Sequence, residues 1–488
     1  VPSPSLRTLE PVPTLLRRIR NELPAFGAES AATVRASRAP GRLDVMGGIA
    51  DYTGSLVCEA TLDRAAAVAL APRSDRDLQV FSFNLFDEHQ PFTLRIPLEA
   101  LASRSAEQLR AEFNQPGRRW AAYLAGCLFV LHEAGLIDLR DPVHTGIDLA
   151  LYSTVPLGAG VSSSAAIEVA TMMNLRDHFG IAGKLDAMRL ASLCQRVENQ
   201  VVGAPCGIMD QVTCTAGRAG ALLKLLCQPH DIQGFLELPQ DVRVIGINTQ
   251  VRHSVGGGQY GRTRCAAFMG HKIILAKMEE MGRAAGMRMV ADPTGGYLAN
   301  LPLDDYKKYF RTFLPETMKG SEFLAQFGPT SDTATSVDPD ADYPVQSATD
   351  HHVHEPQRVR NFVQFLETAA TLPPHSAERS RTLDKAGHLM YGSHVSYTRD
   401  ALLGAPEADL LVDLVRKHER GGLYGAKITG GGCGGTVAVL ANQSPQADAA
   451  IATIVQAFQE QTGKTADIFW GSSSGAWNVG TEMLSLTQ

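Results

Sequence analysis

No apolar stretch of this chain approaches the ~20 residues that a helix needs to cross a bilayer. The longest, such as Ala121 to Leu131, stop well short, so no membrane span is expected. A basic surface is missing as well: 45 Lys+Arg stand against 51 Asp+Glu for a net charge of −6, and the tight basic group is confined to Arg17, Arg18 and Arg20. Nucleic acid is therefore not expected as a partner. The eight cysteines, at 58, 127, 194, 206, 214, 227, 265 and 433, include no C-x-x-C pair and lie partly inside apolar runs. Reduced, mostly buried thiols in a cytoplasmic protein are the expectation, in place of a disulfide framework or a zinc site. The start, Val1-Pro2-Ser3-Pro4, has no apolar leader core, which agrees with that location. Internal repeats are absent. What is present is the composition of a folded globular chain: 44% hydrophobic and 20% charged residues exclude disorder, collagen-like repeats and coiled coil. Its 488 residues exceed one typical core, so two domains of roughly 200 to 250 residues each are expected.

Up to about Leu226, short β-like runs (Leu78 to Phe83, Gly146 to Tyr152) alternate with helical patterns. One helix places Trp120, Tyr123, Leu124, Cys127, Leu128 and Leu131 on a single face; another places Leu190, Leu193, Cys194, Val197 and Val201 on a face and stops near Gly203, with Glu198 projecting beside the stripe. Val242 to Ile247 reads as a buried strand, followed by a mostly helical half through the 260s to 280s and again through 358 to 417. Gly328 to Tyr343, rich in Thr, Ser, Asp and Pro, reads as an exposed insertion with little regular structure. Strands at Ala426 to Thr429 and Thr436 to Leu440, a helix over Asp448 to Gln461 and a strand near Ala466 to Trp470 close the chain.

Three segments carry chemistry. In Val155-Pro-Leu-Gly-Ala-Gly-Val-Ser-Ser-Ser-Ala-Ala-Ile-Glu168 a strand ends, Gly158 and Gly160 permit unusual backbone angles and a helix begins at Ser162, Ser163 and Ser164. Free N–H groups at a helix start, with hydroxyl donors, cradle phosphate. No Lys follows, so a Walker-type loop is excluded, and a serine N-cap without a ligand is the plainer alternative. In Lys427-Ile-Thr-Gly-Gly-Gly-Cys-Gly-Gly-Thr436, residues 430 to 435 satisfy G-x-G-x-x-G but lead into a strand, so the dinucleotide-fold context fails. The glycines serve either a hairpin or a loop packed against a ligand or the first glycine loop. Ala39-Pro-Gly-Arg-Leu-Asp-Val-Met-Gly-Gly-Ile-Ala-Asp-Tyr-Thr-Gly54 puts Arg42, Asp44 and Asp51 among turn and apolar residues, where a solvated surface loop is the alternative to a site.

Together, and in their order along the chain, the three segments resemble the motifs of the GHMP kinases, the family of galactokinase, homoserine kinase, mevalonate kinase and phosphomevalonate kinase. The resemblance covers most of the chain and is closest to the galactokinase branch: Glu198 followed by Gly203-Ala-Pro-Cys-Gly-Ile-Met-Asp-Gln211, Val251-Arg-His-Ser254, Tyr260, and Leu389 to Pro406 with Ser393-His394 and Arg399-Asp400 all look like that branch. The branch signature reads G-E-H-T-D-Y where this chain has Gly47-Gly48-Ile49-Ala50-Asp51-Tyr52; that departure, with Gly471-Ser-Ser-Ser-Gly-Ala, resembles the L-arabinokinases. The resemblance implies an α/β (α+β) fold of two domains, 1–240 being ribosomal-protein-S5-like and carrying the sugar motif, phosphate loop and catalytic Asp, and 241–488 being ferredoxin-like α+β with the polar insertion near 328–343.

By the same resemblance, Asp210 faces the anomeric hydroxyl of a sugar, and Arg42 lies beside it, keeping it ionised and helping to hold the γ-phosphate of ATP. Asp51, Gly207 and Tyr260 match sugar-contacting positions, with Arg42 and Asp210. Gly48 and Ile49 stand where galactokinase carries an acid and an imidazole toward the sugar's hydroxymethyl group, a group that L-arabinopyranose lacks. ATP is expected at Trp120, Gly158, Gly160, Ser162, Ser163, Ser164, Gly431 and Gly432. Mg²⁺, which needs only one or two protein oxygens beside phosphate and water, is expected at Ser164 and Glu198. L-arabinose is the expected acceptor; a galactokinase, a kinase of another C6-modified pyranose, or a silent sugar and ATP sensor are the alternatives. His351, His352, His354 and Glu355 have no Cys/His group at zinc spacing and are expected on an exposed loop.

Overall fold

The computed structural model describes residues 10–27, 33–251, 258–286 and 291–486. Its first sheet is built on a long antiparallel hairpin of β1 (Thr33–Met46) and β2 (Leu56–Pro72). The alanine-rich half of β2 alternates with period two between two cores. Ala66, Val68 and Leu70 enter one and Ala67, Ala69 and Ala71 the other, so small side chains let layers close on both faces of the strand. Further strands are β3 (Asp77–Ser82), β4 (Thr93–Pro97), β5 (Ile147–Ser153), β6 (Ala221–Leu226) and β7 (Asp231–Glu237). The second sheet takes β8 (Val242–Asn248) and four strands follow: β9 (Met318–Lys319) paired with β10 (Asp342–Tyr343), then β11 (Leu423–Ile428) and β12 (Thr436–Asn442). β13 (Asp467–Phe469) joins the second sheet, in the order β11-β12-β8-β13. β14 (Thr481–Ser485) crosses back to pair with β1, so the first sheet runs β14-β1-β2-β5-β3-β4, with β6 on the start of β2 and β7 on β6. The stretch expected to form a second unit, 241–488, thus gives its last strand to the first sheet.

The helices that position the site are α1 (Pro11–Glu22), α2 (Ala122–Glu133), α3 (Ser163–His178), α4 (Ala187–Arg196), α5 (Met209–Ala216), α6 (Gly258–Ala284), α7 (Val345–Thr371), α8 (Ala377–Arg399), α9 (Pro406–Lys417) and α10 (Pro445–Thr462). α9 and α10 cover the second sheet through Leu411, Val415, Ile451, Ile454 and Phe458. β12 couples the halves: Val437, Val439 and Ala441 face this core, while Ala438 and Leu440 enter the core shared with the first sheet. No helix of the described residues is long and apolar enough to cross a membrane.

Three expectations are corrected. The helix predicted as one-faced is buried on all sides from Leu124 to Leu131, and Trp120 precedes it in a short 3₁₀ turn. The His351–Glu355 run lies in the middle of α7, with His351, His352 and Glu355 fully buried. Three of its contacts come from residues remote in sequence: His351 Nδ1 meets Ser396 Oγ at 2.9 Å, His352 Nε2 meets the Tyr52 hydroxyl at 2.9 Å, and Ser393 Oγ donates to Glu355 at 2.5 Å, while His351 Nε2 is buried without a partner among the described residues. Burial holds His352 neutral, its pKa pushed down to about 4. The insertion has little regular structure, as expected, but it is not merely exposed, since Asp332 is buried in an ion pair with Arg264.

Candidate active site

Arg42 is aimed by irregularity in β1. The pairing register with β2 shifts between Pro40 and Arg42 and again between Asp44 and Met46, and a bulge of this kind re-aims a side chain. The Arg42 backbone N–H leaves the ladder to donate to Val161 O at 3.0 Å. Its guanidinium, 2% exposed, donates to Asp210 Oδ1 from Nε at 3.0 Å and from Nη2 at 2.5 Å, and to Gly160 O from Nη1 at 3.3 Å. Burial pushes its pKa down, but the charges of Asp210, Glu59 and Asp44 outweigh burial and the net shift is upward. One arginine thus joins the first turn of α5, which carries Asp210, to the glycine–serine loop.

That loop has the properties of an anion cradle. Gly158, Gly160 and Ser162 all adopt positive φ, Ser162 at 60°, and α3 starts at Ser163 with no side-chain cap. The Ser162 hydroxyl is buried without a hydrogen-bond partner among the described residues. Uncapped N–H groups and an orphaned hydroxyl on one concave surface suit a phosphate better than a plain N-cap would. The second glycine segment is a hairpin between β11 and β12 that also packs on the first loop, so both of its readings hold: Thr436 Oγ1 donates to Ala159 O at 2.9 Å. Behind it, Lys427 pairs with Asp44, both side chains fully buried, and Asp44 also accepts from Gly48 N at 3.0 Å and Gly430 N at 3.3 Å. The 39–54 segment is therefore a buried strand and turn and not a surface loop.

At the other end of the cleft, Asp51 is 4% exposed; it accepts from Met209 N at 3.4 Å through Oδ2, while Oδ1 has no partner among the described residues. Burial, then the charge of Asp210, pushes its pKa up to about 7. Gly207 closes over it: a β-carbon there would stand 1.7 Å from Asp51 Oδ2, so no other residue permits this approach. Glu198 sits on a π-helical turn, Val197–Val202, that follows α4. It is buried instead of projecting beside the apolar stripe. Gln211 Nε2 donates to Glu198 at 2.9 Å and to Glu168 at 3.3 Å. Burial and the Asp210 charge raise the Glu198 pKa to about 7, against hydrogen bonds from Ser164, Cys206 and Gln211. These groups line one cleft of about 280 Å³.

Known proteins resemble this chain in sequence and in fold. Family models match as follows: GHMP kinases N terminal domain over 122–218, GHMP kinases C terminal over 375–460, and the galactokinase galactose-binding signature over 24–72. The L-arabinokinase of Arabidopsis thaliana is 36% identical across 91% of this chain, which spans 46% of that protein's length. The galactokinase of Chloroflexus aurantiacus is 30% identical across 88% of this chain and 89% of its own. The chain belongs to the GHMP kinase family. In fold, this GHMP kinase resembles the galactokinase of Lactococcus lactis complexed with galactose, with a TM-score of 0.70 at 20% identity, covering 97% of this chain and all of that one. The mevalonate kinase of Methanococcus jannaschii gives 0.52 at 15% identity, covering 90% of this chain and 98% of that one.

Of the residues predicted for its site, the kinase brings Arg42, Ile49, Asp51, Gly158, Gly160, Ser162, Ser163, Ser164, Glu198, Gly207, Asp210, Tyr260 and Gly431 to the cleft wall. Trp120, Gly48 and Gly432 do not line it. The Trp120 indole donates to Gly117 O at 3.0 Å, and its neighbours Arg119 and Tyr123 face the cleft in its place. Gly48 is backed by Tyr397, whose hydroxyl accepts from Ile49 N and donates to Gly430 O, both at 2.9 Å. Arg252, His253 and Ser254 lie outside the described residues, and Ser393, His394, Arg399 and Asp400 make structural contacts on α8 and just beyond it. Sequence reasoning missed Arg119, Tyr123, Cys206 and the buried Glu59, 3.5 Å from Arg42. Glu59 had a readable signal only in pairing register, where it stands opposite Asp44. Ser164 and Glu198 fit Mg²⁺ as a donor set: one carboxylate and one hydroxyl, both hard oxygens, hydrogen-bonded together beside the phosphate cradle.

Proposed function

We propose that this GHMP kinase transfers the γ-phosphoryl group of ATP to the anomeric hydroxyl of L-arabinose, giving L-arabinose 1-phosphate and ADP. The observation that carries the reading is the buried Arg42–Asp210 pair, which stands where the anion cradle meets the pocket of Asp51, Gly207 and Tyr260. Phosphoryl transfer asks a protein mainly for position and charge. Here Asp210 accepts a hydrogen bond from the attacking hydroxyl, and Arg42, which donates to the same carboxylate, faces the transferred group. The glycine–serine loop holds the phosphates; Ser164 and Glu198 would hold Mg²⁺, which neutralises phosphate charge when bound. Asp51, with a free buried oxygen, accepts from a sugar hydroxyl. For the pentose, the support is the apolar Ile49 on the cleft wall, with Gly48 behind it carrying no side chain, so that neither offers a polar partner to a hydroxymethyl group, together with the likeness to L-arabinokinase. A galactokinase is the second reading, favoured by the galactose-binding signature over 24–72. The eight unpaired cysteines support a cytoplasmic location.

ADP release measured over L-arabinose, D-galactose, D-fucose, D-galacturonate and D-glucuronate tests this. Burying the galactose 6-hydroxyl unpaired costs about 1–3 kcal/mol, so kcat/KM for L-arabinose should exceed that for galactose by about 5- to 150-fold. Faster turnover of galactose selects the second reading, and no turnover of any sugar removes both.

A further inference from the structure

Tyr260 and Arg264 are one helical turn apart on α6, so the residue that lines the acceptor end of the cleft has a buried guanidinium directly behind it. Every face of that guanidinium is engaged. Nε and Nη2 form a bidentate pair with Asp332 at 2.8 and 2.7 Å, Nη1 donates to Pro205 O and Cys206 O at 3.1 Å each, and the plane lies 4.8 Å from the Tyr52 ring centroid. Asp332, 2% exposed at its side chain, comes from the polar insertion and also gathers its own loop, accepting from Ala334 N at 3.1 Å, Thr335 N at 3.2 Å and Thr335 Oγ1 at 2.6 Å. The carbonyls held by Arg264 immediately precede Gly207, the residue whose close approach seals Asp51.

We propose that Asp332 and Arg264 are positioning residues for the acceptor: the insertion, through this buried ion pair, fixes the Pro205–Gly207 backbone against Asp51 and so sets the sugar pocket without touching the sugar. A lysine at 264 supplies the charge but not a planar fork that can bind a carboxylate with one edge and two carbonyls with another nitrogen. Loss of the Asp332 charge leaves a buried, unpaired cation beside the loop. The term acceptor rests on the sugar-kinase reading; the clamp itself does not.

The test uses the full chain with Asp332→Asn, Arg264→Lys and the milder Thr335→Val, each checked by thermal melting. For the first two, the KM for L-arabinose should rise ~10-fold or more, while kcat and the KM for ATP stay within ~3-fold, because uniform binding of one substrate is lost. Hydrogen exchange in the peptide spanning 203–208 should accelerate in both, and Thr335→Val should move the same two quantities less. A purely structural role would lower melting temperature and active fraction and leave the sugar KM unchanged. Unaltered sugar KM and unaltered exchange in folded variants overturn the proposal. If the wild type phosphorylates no sugar, the functional reading falls and the exchange measurement alone decides the clamp. Should Asp332→Asn not fold, the other two variants decide it.

Discussion

A β-carbon at Gly48 would stand 1.7 Å from the Tyr397 hydroxyl and 2.8 Å from Asp44 Oδ2, and the residue has a φ of +47°. Both facts require glycine, and the tightest contact, with Tyr397, comes from the second half of the chain. The acid that galactokinases carry here cannot be restored in this kinase by substitution at 48 alone. Gly48→Ala should destabilise the protein by ~2 kcal/mol or more in denaturant unfolding, through left-handed strain and overpacking together. Adding Tyr397→Phe removes the clashing oxygen, together with its hydrogen bonds to Ile49 N and Gly430 O, so the double variant should lose less stability than the two single changes summed; simple additivity would mean that backbone strain alone governs the site. A polar partner for a hydroxymethyl group can enter only at Ile49, which lines the cleft. At the reacting end, Asp210→Asn should lower kcat by at least ~100-fold with ATP affinity held within a few-fold, because it alters the acceptor side alone. Near-normal turnover would remove Asp210 from its assigned role.

β1 meets the glycine hairpin through the fully buried pair of Asp44 and Lys427, contributed by strands of different sheets. Breaking such a pair on one side strands a charge, so Lys427→Met should cost about 3–5 kcal/mol of unfolding free energy. Asp44→Asn added to it should restore a large share, and equal instability of single and double variants would show that the charge pairing is not the cause. Cross-sheet pairs of this kind mark the limit of what was legible in the sequence. The glycine–serine loop and most short strands could be read because their signals are local: spacing, periodicity and turn residues; the Asp210 segment was legible through its resemblance to the galactokinase branch. The His351–Glu355 run could not, since its satisfaction depends on Tyr52, Ser393 and Ser396 arriving from other elements. The same holds for α2, whose outward face looked free only because the elements that cover it are distant in sequence. The insertion read as polar and turn-rich, which it is, but a single aspartate whose partner lies 68 residues earlier gives it a place in the site.

Across the whole molecule, carboxylates are concentrated at the cleft. Asp44, Asp51, Glu59, Glu168 and Glu198 are each at most 5% exposed, in a chain that already carries a net charge of −6. A fold does not gain stability from ionised acids so placed, and of the five only Asp51 and Glu198 line the cleft wall. The consequence has a definite sign. Burial, then the Asp210 charge, raises the Asp51 pKa from 3.8 to about 7. Between those values the folded state holds a proton that the unfolded chain has released, so the Asp51 contribution to stability is intact below pH ~4 and falls as pH rises to ~7, beyond which the full penalty remains. Asp51→Asn removes a group that cannot be both buried and comfortably ionised. The variant should therefore be more stable than wild type at pH 8 by on the order of 2–4 kcal/mol, an advantage that shrinks by more than half at pH 5. Its KM for the sugar should rise by ~10-fold, since a neutral amide accepts a hydrogen bond more weakly than a carboxylate. Denaturant unfolding at the two pH values, paired with acceptor kinetics at pH 8, checks both halves. An advantage that is the same at pH 5 and pH 8 would mean that Asp51 does not titrate in this window, and an unchanged sugar KM would mean that its free oxygen does not meet the substrate.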